Sequence, residues 1–146
     1  MAEFKKQEAA ARGRLTPELR TADEKLRSWP RTPKTDPYKT GLEDIARALS
    51  GKVGCEVFPA YNEFCAPSLE DAFAAAVKKG ARDITVVSTM YTRGGIHSEK
   101  EIPEIMKALQ AAHPGVSTRY VWPFDLGAVA GFLASEVERA RTAAAR

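Results

Sequence analysis

From Val53 onward the chain predicts an α/β fold built on a short parallel sheet, and three observations carry that prediction. Short β-branched runs alternate with longer stretches of helical apolar spacing. The helix patterns open on capping residues and close on a glycine or an His-Pro-Gly turn. The connections are long enough for right-handed crossovers, which join parallel strands.

The elements follow in order. "CEVFPAY", residues 55–61, reads as a first strand with Pro59 near its end. "PSLEDAFAAAVKKG", residues 67–80, is a helix that Ser68 caps, Asp71 completes as a capping box and Gly80 stops. "DITVVSTM", residues 83–90, is a continuous apolar, β-branched run, the pattern of a strand covered on both faces. "IPEIMKALQAAH", residues 102–113, is a helix with Pro103 in its first turn and His113 as a C-terminal cap. "VSTRYVW", residues 116–122, is a third strand. "DLGAVAGFLASEVERARTAAA", from Asp125, is a long closing helix capped by that aspartate.

Residues 1–52 differ, because no convincing strand precedes Val53. "MAEFKKQEAAARG" and "TPELRTADEKLRSW" read as helices, "PRTPKTDP" as a proline-rich loop, and "YKTGLEDIARALSG" as a helix ending at Gly51. The expected organisation is one domain: a helical N-terminal segment over 1–52, an α/β core over 53–135, and a helix end with a fraying tail over 136–146. Three parallel strands leave open edges, so a homodimer is expected.

Composition narrows the function classes. Apolar residues at 44% and charged residues at 28% describe a globular chain, not a disordered one. No apolar stretch approaches the ~20 residues that a bilayer span needs. The opening "MAEFKKQEAA" lacks the apolar core of a secretory signal, so a cytoplasmic protein is expected. Cys55 and Cys65 stand ten apart without CxxC spacing and read as buried reduced thiols. Residues 1–52 carry 12 Lys or Arg against 8 Asp or Glu, too weak an excess for nucleic acid. It suits a polyanionic small molecule or a solvated helical face.

In an open α/β sheet, ligands bind beyond the carboxyl ends of the strands. There this chain places Tyr61-Asn62-Glu63-Phe64, then Thr89 through His97, then Trp122-Pro123-Phe124-Asp125. A carboxylate, an imidazole, an arginine and several aromatics thus converge from three loops, as a flat aromatic ligand or a metal requires. Glu63 reads as a metal-site carboxylate, or as a surface or capping one. His97 reads as a functional imidazole, or as a hydrogen-bond partner within its own turn. Gly94 and Gly95 allow a tight loop or close approach of a large ligand. Imidazole and carboxylate together suit cobalt, iron, nickel or zinc.

The stretch "YNEFCAPSLEDAFAAAVKKGARDITVVSTMYTRGGIHSEKEIPEI" resembles the class II tetrapyrrole chelatases, the small sirohydrochlorin cobaltochelatases and ferrochelatases. The likeness rests on a Glu-containing strand end with a nearby proline, the Gly80-Ala81 pair, and a "VV" strand. A loop of the form G-x-H-x-x-x-(D/E)-I-P follows, here Gly95 to Pro103. The resemblance implies a chelatase-like, flavodoxin/Rossmann-type three-layer sandwich working as a homodimer. It implies lyase-type insertion of a divalent metal substrate, Co²⁺ or Fe²⁺, into a polycarboxylate tetrapyrrole on a route such as cobalamin or siroheme, without nucleotide, nucleic acid or membrane. It assigns His97 and Glu63 as catalytic and metal-site residues. Because both follow adjacent strands of the expected sheet, one ion is expected to bridge them directly or through water. Asn62, Tyr91, Arg93, Gly94 and Gly95 are the candidate macrocycle contacts.

One departure accompanies the likeness. Family members open with a strand ending in His-Gly, whose histidine is a principal ligand. This chain has no histidine before His97, and "RTPKTDPY" holds Thr32 and Lys34 instead. The chain reads as entered after that strand. The rival class is therefore a non-catalytic chelatase-like module that binds metal or tetrapyrrole.

Overall fold

The computed structural model describes residues 28–62 and 65–144, together with Pro17, Thr21, Glu24 and Lys25. The helix expected over residues 1–13, most of the one expected over 16–29, and Glu63 lie outside the described residues. The chain falls into two compact units, residues 1–74 and 75–146.

In the first unit, α1 (Pro37–Val53) begins where sequence chemistry favours a start. The Asp36 carboxylate accepts the Lys39 N–H at 2.9 Å, and Pro37 sits in the first turn, where a missing N–H costs nothing. The helix runs through Gly51, where it was expected to end. It stops at Gly54, which adopts the left-handed conformation (φ 70°) and donates its N–H to the Ser50 carbonyl.

The proline-rich loop before α1 is anchored by Arg31. Its Nε–H donates to Asp36 at 2.5 Å, its Nη1–H donates to the Ala66 carbonyl at 2.9 Å, and its guanidinium lies 4.1 Å from the centre of the Tyr61 ring. Segment 55–61, expected as the first strand, forms none. Pro59 has no N–H, and Tyr61 donates its own to the Pro67 carbonyl at 2.9 Å, so alternate donors along one edge are unavailable for a ladder. The thiols also depart from expectation: Cys55 is exposed and Cys65 half-buried, both free.

Helix α2 (Leu69–Lys78) crosses the boundary between the units. Its capping box is present as expected. Asp71 N–H donates to Ser68 Oγ at 3.1 Å, and Ser68 N–H donates to the Asp71 carboxylate at 3.0 Å. Gly80 at φ 94° ends it, and the Ala81 N–H reaches back to the Ala76 carbonyl at 3.1 Å, a Schellman closure.

The second unit holds strands β1 (Asp83–Val87) and β2 (Ser117–Val121), paired in parallel with Ile84 opposite Thr118 and Val86 opposite Tyr120. Among the described residues the sheet therefore has two strands where three were expected. A π-helical turn (His97–Glu101) leads into α3 (Ile102–Ala112), and α4 (Leu126–Ala144) closes the chain. Asp125 caps α4 through the Ala128 N–H at 2.7 Å, and His113 ends α3 with its N–H on the Leu109 carbonyl. Helix α4 extends to Ala144.

Among the described residues of the unit, one face of this sheet is covered and the other is exposed. Ile84, Val86, Thr118 and Tyr120 are half-buried on one side, where Thr118 Oγ1 donates to Gln110 of α3 at 2.6 Å. Val87 and Val121 on the other side are exposed, against the expectation of a strand covered on both faces. Ile102, Met106 and Val116 are buried in this unit.

Candidate functional site

The site is built on the connection from β1 to α3. Ser88, buried at the strand end, accepts the Met90 N–H on its Oγ at 3.0 Å and turns the chain out of the sheet. Gly94 holds φ 92°, a conformation that excludes most side chains, and donates its N–H to the Glu99 carboxylate at 2.8 Å. At Gly95 the need is space, because a Cβ there would stand 3.1 Å from Ser98 Oγ. Ser98 is wholly buried, and its Oγ donates to the Gly95 carbonyl at 3.2 Å. The loop thus folds back on the turn that follows it.

That turn carries His97. The Ile102 N–H bonds to the His97 carbonyl, an i→i+5 closure that widens the first turn of the helix. Such π-turns recur at functional sites. Within the turn, His97 Nδ1 and Glu101 Oε2 lie 2.5 Å apart, with the two side chains 32% and 26% exposed. The imidazole is therefore held and yet partly open to solvent. The Tyr120 hydroxyl of β2 donates to the Ser98 carbonyl at 3.1 Å and fixes the turn to the sheet. Burial raises the Tyr120 pKa above its ordinary value, keeping it a neutral donor.

Beside the same strand ends lies an aromatic groove of about 230 Å³, lined by Tyr91, Phe124, Asp125, Ala128, Val129 and Phe132. The Tyr91 ring stands 5.9 Å from Phe124 and 6.2 Å from Phe132, and Trp122 meets Phe124 edge-on at 5.7 Å. The Asp125 carboxylate is engaged in capping α4, so the groove presents mainly hydrocarbon.

Tyr91, Arg93, Gly94, Gly95 and His97 thus share one loop and turn, with Arg93 exposed. Asn62 is exposed in the first unit, and Glu63 lies outside the described residues. Among the described residues no group of three or more His, Cys, Asp or Glu is arranged to hold a metal. No described helix is long and apolar enough to cross a membrane. Sequence reasoning gave no role to Glu101 or Phe132. Glu101 carried a usable signal, because residues four apart on a helical turn face each other. Phe132 carried none beyond its place two turns into α4.

No curated protein matches the chain. The family model CbiX matches residues 34–140, well over half of the sequence and the whole of the β1–α3 connection. The chain belongs to the CbiX family, the sirohydrochlorin chelatase-like group that its glycine loop and histidine resemble.

Proposed function

We propose that the protein inserts Co²⁺ or Fe²⁺ into a sirohydrochlorin-type polycarboxylate tetrapyrrole, as a cytoplasmic homodimer. The observation that carries this reading is His97, held by Glu101 at the end of a glycine loop, within the motif that the family match covers. Family membership supports a chelatase over a binding-only module. A homodimer is supported by α4, which buries none of its residues and exposes Leu126, Leu133 and Val137.

Insertion replaces both inner pyrrole N–H protons with the divalent ion, so the site needs a proton acceptor and a donor for the arriving cation. A neutral imidazole at His97 supplies one lone pair for either task. Glu63 enters as the second metal donor on the family resemblance, and Asn62 beside it as a macrocycle contact. Tyr91, with Phe124 and Phe132, offers an apolar wall to the face of the ring. Arg93 suits the carboxylates at the ring's edge. Gly94 has open space where a side chain would stand, and Gly94 with Gly95 lets the macrocycle approach the backbone.

The test is anaerobic incubation of the purified protein with sirohydrochlorin and Co²⁺ or Fe²⁺, following the absorption change on metallation. A rate proportional to protein supports the proposal. A rate equal to the protein-free control refutes it.

A further inference from the structure

We propose that Glu101 is the positioning residue of His97, fixing its imidazole with the proton on Nδ1 so that Nε2 carries the lone pair. The inference rests on the reading of His97 as the working imidazole. Its own ground is the 2.5 Å separation of His97 Nδ1 from Glu101 Oε2. An ionised carboxylate only accepts hydrogen bonds, so a neutral imidazole bonded to it through Nδ1 must bring the proton itself. The other ring nitrogen is then the one that meets a pyrrole proton or a cation.

Three features hold the pair in this relation. Both residues lie in the π-turn, His97 as its first residue and Glu101 as its last. Ser98, between them, is wholly buried and tied to β2 through the Tyr120 hydroxyl. Glu99 is committed to the Gly94 N–H at 2.8 Å, so the turn's other carboxylate is directed to the loop. The Glu101 carboxylate thus meets the His97 ring on a turn that is tied to the sheet.

The chemistry balances without another reagent. When His97 Nε2 accepts a pyrrole proton, the ring becomes an imidazolium whose Nδ1–H remains bonded to the Glu101 carboxylate. The positive charge is paired as it forms, and the proton then leaves from Nε2 to water. When Nε2 donates to a divalent ion instead, the same carboxylate orients the ring and strengthens its donor character, the relation seen behind metal-bound histidines.

The test uses full-length protein labelled with ¹⁵N at histidine. The chain has two histidines, so His113→Ala isolates the His97 signals. Two-bond ¹⁵N–¹H correlations of the neutral ring report which nitrogen carries the proton. The expected wild-type pattern is Nδ1–H. In Glu101→Ala the proton redistributes to Nε2, and Co²⁺ insertion slows by roughly 10–100-fold in kcat with little change in the tetrapyrrole KM. A wild-type ring protonated on Nε2 overturns the inference whatever the variant does. A folded Glu101→Ala protein with unchanged tautomer and rate also overturns it, while leaving the function standing if His97→Ala is inactive. If His97→Ala retains full insertion, the reading of His97 falls, and the role of Glu101 in the reaction falls with it.

Discussion

The Tyr120 hydroxyl donates to the Ser98 carbonyl at 3.1 Å, and this bond joins strand β2 to the turn that carries His97. Tyr120→Phe removes it and leaves a carbonyl beside a buried serine. The expected cost is about 1 kcal/mol. Burial raises the Tyr120 pKa from the ordinary 10.0 by favouring the neutral phenol. Its contribution is therefore complete below pH 10 and lost as pH rises through the raised folded value. Thermal melts should show a gap between wild type and Tyr120→Phe that is full at pH 7 and narrows in alkali.

The glycines of the loop should respond differently. Gly94→Ala meets no atom within 4 Å but must hold φ 92°, so its cost of about 1–2 kcal/mol is conformational. Gly95→Ala places a methyl 3.1 Å from Ser98 Oγ, on a serine with no room to move. A Ser98→Ala background should relieve much of the Gly95→Ala penalty and none of the Gly94→Ala penalty. Denaturant midpoints of the two double-mutant cycles check this, and equal couplings would show the two glycines acting alike.

At the other end of the chain, Asp36 is held ionised by the Lys39 N–H and then by Arg31, which together lower its pKa below 3.8. The stability it confers is present above that value and lost as pH falls through the lower folded one. Asp36→Asn keeps a capping oxygen but gives up the charge. Its melting temperature should lie below that of wild type at pH 6, and the two should converge under acid. A gap that persists at pH 2 would place the effect elsewhere.

These sites differ in how far the sequence alone discloses them. The caps at Ser68, Asp125 and His113 are legible because each is settled within four residues. Gly54 as the stop of α1 is not, since Gly51 offers the same residue three positions earlier and the choice depends on where the left-handed conformer falls. The first expected strand, 55–61, failed for a local reason the sequence did contain: Pro59 lacks an N–H. Its other cause, the Tyr61 bond to Pro67, needs the folded turn. The tight loop that leads into the His97 turn was legible from Gly94 and Gly95. The wall formed by Phe132 was not, because it depends on the fold bringing Tyr91 within 6.2 Å of that ring from a distant loop.

The central claim is that His97 handles protons and metal for tetrapyrrole insertion, and it is tested most directly by comparing the chain's two histidines. Initial rates of Co²⁺ insertion into sirohydrochlorin would be measured for wild type, His97→Ala and His113→Ala under identical anaerobic conditions. His113 ends α3 through its backbone N–H, so its loss should leave the rate within about twofold of wild type. His97→Ala should lower kcat by roughly 10²–10⁴-fold, the contribution of a positioned proton acceptor, with its fold intact by circular dichroism. A His97→Ala protein that inserts metal at the wild-type rate, while His113→Ala does not, would contradict the account.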